Sequence, residues 1–213
     1  MVHSISRQCK DWVLSMIERE TYHHKDLKNQ LIDKGIELVS TEGLKSFSLR
    51  KVAAACGVSH SAPYSHFQNK DELLNTMTSQ ITAEFSKALE ATIATYGDSA
   101  DVLAYLGKAY VVFFIDNPHY FSFLYTQSTV QIDLSFSEDV SHNYAPFETF
   151  KGLALKLMDK TAYPKEKNKD AVIALWSFIH GIASLATMKN VHYNENWEKK
   201  ISDFISVFNC PFL

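Results

Sequence analysis

The sequence predicts an all-α fold, an N-terminal three-helix helix-turn-helix domain followed by a larger helical domain, and three observations lead there. Glycine and proline number only seven and five in 213 residues, too few for the frequent turns of an all-β chain of this length. Apolar residues recur at helical spacing in one segment after another, and no segment requires a strand. Segment ends carry cap residues, with Ser48, Ser59 and Asn69 at starts and Gly43, Gly57 and Gly97 at ends.

Cys9, Trp12, Val13, Met16 and Ile17 lie on one stripe of a short leading helix between Arg7 and Glu20. Leu27, Leu31, Leu38 and Val39, with Ile32 and Ile36 alongside, mark a second helix that stops at Gly43, a residue suited to a left-handed C-cap. Ser48 then caps a two-turn helix through Leu49, Val52, Ala53 and Cys56, ending at Gly57. Ser59 opens a further short segment that runs to Phe67, and Asn69-Lys70-Asp71-Glu72 has the form of a capping box at the head of a long helix. Beyond Gly97 the pattern predicts helices from Ala100 to Asp116, His119 to about Thr126, Tyr144 to Lys160, Asn168 to Lys189 and Asn194 to Phe208. These divide the chain into a leading helix over 1–21, a helix-turn-helix domain over 22–75 and a helical domain over 76–213.

The three cysteines, Cys9, Cys56 and Cys210, are odd in number and far apart, which fits neither a disulfide framework nor a metal cluster but fits a reducing cytoplasm. No signal-peptide core precedes a small-residue cleavage site. The uncharged run from Ala171 to Met188 sits at the lower edge of a membrane-spanning length, but Ser177, His180, Gly181, Ser184 and Thr187 make it a buried helix of a soluble protein. Net charge is −3, so the chain as a whole is not basic. The imbalance is local: residues 1–80 hold 10 basic and 9 acidic side chains and the remainder 11 and 15, which leaves the front available to an anionic partner. No phosphate-binding glycine loop, nucleophile elbow or metal-ligand histidine spacing is present, so neither an enzyme nor a cofactor or metal site is expected.

Two short helices joined by a glycine turn and braced by a preceding helix form the arrangement that presents a second helix to the major groove of DNA. Small Ala53 lets the helices approach, Gly57 takes positive φ at the turn, and Val58 plugs the gap between them. Pro63 and Phe67 face inward and leave His60, Ser61, Tyr64 and Ser65 outward. Pro63 is tolerable only in a first turn, which places the effective N-cap at either Ser59 or Ser61. Ser48, at a helix N-terminus, is a candidate for phosphate contact; Ser59, His60, Ser61 and Ala62 are candidates for base edges. His66 has two readings, interior packing and phosphate contact.

The pieces Ser48-Leu49-Arg50-Lys51-Val52-Ala53, Cys56-Gly57-Val58-Ser59, Pro63-Tyr64-Ser65-His66-Phe67 and Lys70-Asp71-Glu72-Leu73-Leu74 occur in the order and spacing of the TetR/AcrR N-terminal domain, which the chain resembles over residues 22–75. The resemblance implies phosphate contacts from Tyr64 and Lys70, a double-stranded DNA operator as partner, repression, and a small-molecule effector that relieves it. Ser65 departs from the basic residue often found there. The segment from Trp176 to His180-Gly181 also resembles the Trp-His-Gly signature of one C-terminal subgroup.

Apolar residues populate every side of the helix over 168–189, so it is expected to bury one face in its own core and another against a second copy. Trip-wires for that homodimer are Trp176, Ile179 and Ala183 with Phe204 and Phe208 of the last helix, paired as a four-helix bundle. Tyr110, Phe113, Phe114, Phe121, Tyr125, Trp176 and His180 are candidates to line a pocket for an effector of apolar or aromatic character. The competing reading is a ligand- or protein-binding module of the same fold without DNA binding, which salt-sensitive duplex binding separates.

Overall fold

A computed structural model describes residues 27–127, 130–136, 143–161 and 163–206; the leading helix expected over 1–21 and the dimer residue Phe208 lie outside them. The described residues are helical without a strand. The chain divides into two compact units, with the boundary between Met77 and Thr78.

In the first unit α1 spans residues 27–42 and buries Leu31, Ile32, Ile36 and Val39, the stripe that its periodicity predicts. Mid-helix Gly35 is the point of closest approach, since a Cβ there would stand 2.6 Å from the Met77 sulfur. A single 3-10 turn, Leu44–Ser46, leads to α2, Leu49–Ala55, whose N-cap Ser48 accepts from the Lys51 amide. The end of α2 is a Schellman motif: the Val58 amide donates to the Ala53 carbonyl at 3.0 Å and Gly57 to Ala54 at 3.1 Å, with Gly57 at φ 68.

The next element differs from expectation. In place of a second short α-helix there is one 3-10 turn, Ala62–Ser65, with Ser61 at its N-cap. Pro63 supplies the reason: it has no amide proton and its ring would clash with the carbonyl four residues back in an α-helix. The turn instead closes with Ala62 donating to Ser59 at 3.0 Å and Tyr64 donating to Ser61 at 3.1 Å.

Helix α3, Lys70–Tyr96, runs through the boundary between the units. Asn69 caps it by accepting from the Glu72 amide at 2.9 Å, while the Glu72 carboxylate accepts from the Gln68 amide at 2.6 Å. Its buried residues Leu73, Met77, Ile81, Phe85 and Leu89 fall four apart and so drift slowly around the helix.

In the second unit α4, Val102–Asp116, lies against α6, Ala145–Lys160, α7, Asn168–Thr187, and α8, Trp197–Ser206. Asn117-Pro118 breaks the chain, and α5, Pro118–Ser122, follows. The helix expected to reach Thr126 widens into a π-turn, Phe123–Gln127. Phe121, Phe123 and Leu124 are all buried, and the extra residue in the turn lets closely spaced bulky side chains face inward together. By length and composition, one helix among the described residues, Lys165–Thr187, is apolar enough to cross a membrane, yet its apolar window is only 28 % buried within one chain.

Candidate functional site

The first unit presents a polar turn on an apolar base. Pro63 and Phe67 are buried, Phe67 at 1 % exposure, whereas Ser59, His60, Ser61, Tyr64 and Ser65 are exposed and Ala62 is half-buried. Tyr64 is 56 % exposed. Not every hydroxyl reaches outward: Ser65 Oγ folds back onto the Ala62 carbonyl at 2.7 Å, and Ser59 Oγ and Ser61 Oγ lie 3.1 Å apart.

Ser48 and Lys70 flank this turn in the chain, each with a structural contact of its own. Ser48 Oγ accepts from Lys51, which leaves the hydroxyl proton free to donate. Lys70 Nζ donates to the Leu44 carbonyl at 2.9 Å and stands 5.6 Å from the Phe47 ring centre, so one of its three donors ties α3 to the turn before α2 and two remain. His66 is half-buried with its ring 6.3 Å from that of Phe67. Exposed Lys45 and Arg50, not singled out from sequence, add positive charge next to Ser48.

Because nothing lies within 4 Å of a Cβ placed on Gly57, Gly57→Ala tests its backbone alone. It is expected to cost about 1–2 kcal/mol, the penalty of a left-handed non-glycine residue. The check is the urea midpoint of the first unit; an unchanged midpoint would show that the turn does not need positive φ.

The second unit gathers the aromatic residues picked from sequence. Phe85, absent from that set, is fully buried at the centre, its ring 4.9 Å from each of Tyr110, Phe113 and Phe114. Trp176 packs edge-on to Tyr110 at 5.1 Å, and Phe121 lies 5.2 Å from Phe114 and 5.0 Å from His180. Threaded through these rings is a line of polar atoms: His180 Nδ1 is 2.9 Å from Tyr110 Oη, which is 3.2 Å from Tyr125 Oη, which is 3.2 Å from Tyr144 Oη. Thr82 extends the line by a hydrogen bond to Tyr144. Burial pushes all three tyrosine hydroxyls well above their usual range and lowers His180, so the whole line is uncharged at neutral pH. Tyr144 and Thr82 were not legible as members because no local pattern links them to a residue tens of positions away.

A separate cleft of ≈ 170 Å³ lies among Asp101 and Ala104 of the α4 end, Phe150, Leu175, Phe178 and Ile205. None of the seven predicted effector residues lines it.

Three of the residues expected on a dimer face lie on the inner side of α7. Trp176 and Ile179 are each 5 % exposed and Ala183 is 0 % exposed within a single chain, because their stripe of α7 is the one that meets α4 and α6. The outer stripe of α7 is a different set: Ala174 and Leu185 are exposed, Met188 just past the helix end is 48 % exposed, and Phe178 and Gly181 are half-buried. Phe204 is half-buried on α8 and packs with Trp197 and Tyr193.

A glycine-turned helix-turn-helix followed by an all-helical second unit defines a class of DNA-binding regulators. Residues 31–77 match the model for bacterial regulatory proteins of the tetR family, and residues 103–201 match the tetracyclin repressor-like C-terminal domain. The chain belongs to the TetR family of transcriptional regulators. No curated protein matches its sequence. Among solved structures it is similar to a bacterial regulatory protein in the tetR family from Rhodococcus RHA1, with 19 % identity over 85 % of this chain and 94 % of that one, TM-score 0.62. It is also similar to NalD, the secondary repressor of the MexAB-OprM multidrug efflux pump in Pseudomonas aeruginosa, with 20 % identity over 88 % and 96 %, TM-score 0.60. A third likeness is to the fatty acid degradation regulator FadR from Bacillus halodurans, with 16 % identity over 85 % and 93 %, TM-score 0.58. At these identities the structural likenesses concern the fold.

Proposed function

We propose that this regulator is a cytoplasmic repressor that binds a palindromic operator as a homodimer and is released by a small-molecule effector. The observation that carries the DNA part is the exposed polar turn from Ser59 to Ser65 standing on buried Pro63 and Phe67. In this reading Ser59, His60, Ser61 and Ala62 meet base edges, and Ser48, Tyr64, His66 and Lys70 meet phosphates. The outer stripe of α7 supports the homodimer, since Ala174, Phe178, Gly181, Leu185 and Met188 recur at helical spacing and a second copy would cover them. Such a dimer reads two half-sites related by its two-fold axis. The aromatic cluster around Tyr110, Phe113, Phe114, Phe121, Tyr125, Trp176 and His180 is the effector site, and α3, continuous from one unit into the other, joins it to the DNA-binding end.

The test is selection of bound sequences from a random duplex pool, repeated with Tyr64→Phe and Lys70→Ala. An enriched palindrome is expected. Tyr64→Phe removes one hydrogen bond per head, about 1 kcal/mol each, so dimer affinity falls roughly tenfold or more. Lys70→Ala lowers the slope of log affinity against log salt by about one per head. No enrichment at low salt would instead assign the chain to ligand or protein binding without DNA.

A further inference from the structure

We propose that the effector is a small uncharged molecule with a flat apolar body and one hydroxyl or carbonyl oxygen, read by the relay of His180, Tyr110, Tyr125 and Tyr144. This rests on the effector reading above and specifies what that site takes. The relay is closed at Tyr110 and Tyr144, 2 % and 6 % exposed, and comes nearest the surface at its His180 end, where His180 is half-buried. The Tyr125 and His180 rings stand 4.6 Å apart, and Phe121 is 5.1 Å from Tyr125 and 5.0 Å from His180. Flat ring faces set around a hydrogen-bonding edge suit a planar body.

Proton counting fixes the head group. Each tyrosine has one proton to donate, so His180 Nδ1 either donates to Tyr110 or accepts from it, and the line to Tyr144 can be completed in both cases. If His180 Nδ1 donates to Tyr110, Tyr110 donates to Tyr125 and Tyr125 to Tyr144, and Nε2 is left as an acceptor. If the line runs the other way, Tyr110 donates to Nδ1 and Nε2 carries the proton as a donor. The open end therefore switches between acceptor and donor with the tautomer, which matches an oxygen that itself donates or accepts. It has no charge to set against an ion: among the described residues, burial, the neighbouring tyrosines and Thr82 are what act on Tyr110, Tyr125, Tyr144 and His180, with no Asp, Glu, Lys or Arg among them. A carboxylate or ammonium would lose hydration there without an opposite partner. Tyr125 also sits on the π-turn, Phe123–Gln127, a break in the helical ladder of a kind often found at functional sites.

The experiment titrates the full chain with phenol, benzoate and benzylamine, three probes with one ring and different heads, by calorimetry. Release of a selected operator duplex is read in parallel. Phenol is expected to bind at least tenfold more tightly than either ion, and to lose about fivefold in Tyr125→Phe and in Tyr144→Phe, the value of one hydrogen bond. Phenol affinity unchanged in both variants, no phenol binding, or preference for benzoate or benzylamine would each overturn the inference. Failure of the broader reading looks different: phenol binds with the expected tyrosine dependence but the operator stays bound. Operator release by an ion that binds elsewhere would leave effector control standing and remove this site from it.

Discussion

Phe85→Ala is expected to destabilise the second unit by about 3–5 kcal/mol, the range for removing a fully buried phenylalanine from a packed core. Phe85 is 0 % exposed, and its ring lies 4.9 Å from three other aromatic rings, all of them on α4, with Tyr110 and Phe114 buried. Rings on one helix cannot close the space without moving that helix, so the cavity persists and its cost adds to the lost transfer energy. The check is urea unfolding, in which the midpoint falls while the slope stays the same. A loss under about 1 kcal/mol would mean that the cluster relaxes freely, contrary to a rigid aromatic core.

Phe67→Ala is the second. Phe67 is 1 % exposed, and its amide donates to the Pro63 carbonyl at 2.9 Å, so the ring anchors the turn that carries Tyr64. A four-residue 3-10 turn has few hydrogen bonds of its own and weak geometry, so its conformation depends on that anchor more than an α-helix would. Loss of the ring is expected to cost about 3–5 kcal/mol in the first unit. Duplex affinity should fall by roughly tenfold or more, if even half of that energy comes out of binding. Phe67→Leu, which keeps most of the volume, should retain folding and most affinity. Anisotropy of a labelled duplex with a parallel melting curve reads both; full binding by Phe67→Ala would show that the turn holds itself.

Local chemistry made much of the first unit legible. The α1 stripe of Leu31, Ile32, Ile36 and Val39, the Ser48 cap and the Asn69–Glu72 capping box each involve residues a few positions apart, where spacing and side-chain type decide the outcome. The same holds for Gly57, whose Schellman turn needs the positive φ that glycine takes without strain. Pro63 was legible as a problem but not as its solution, because a proline in a first α-turn and one in a 3-10 turn look alike until neighbouring hydrogen bonds are known.

In the second unit the sequence identified aromatic residues but not their partners. Tyr110 and His180 are 70 positions apart, and Tyr144 and Thr82 join them, through Tyr125, only because five parts of the chain converge. Trp176, Ile179 and Ala183, expected on a dimer face, are buried within their own chain, and a related reason hid this from the sequence. Helix α7 is apolar on nearly every side, so periodicity shows that two faces want cover without showing which one its own chain covers.

What the sequence by itself determined is the helical class, most element boundaries, the caps and the turn between the helices at residues 49–67, since all of these depend on interactions within a few residues. What only the tertiary structure decided is the 3-10 form of the turn at Ala62–Ser65, the π-turn at Phe123–Gln127, the face of α7 turned inward and the hydroxyl line from His180 to Tyr144. The 3-10 form follows from Pro63 and the hydrogen bonds of its neighbours, whereas the other three are settled by packing between segments distant in the chain, where bulk and hydrogen-bond partners compete for one space and no local spacing records the result.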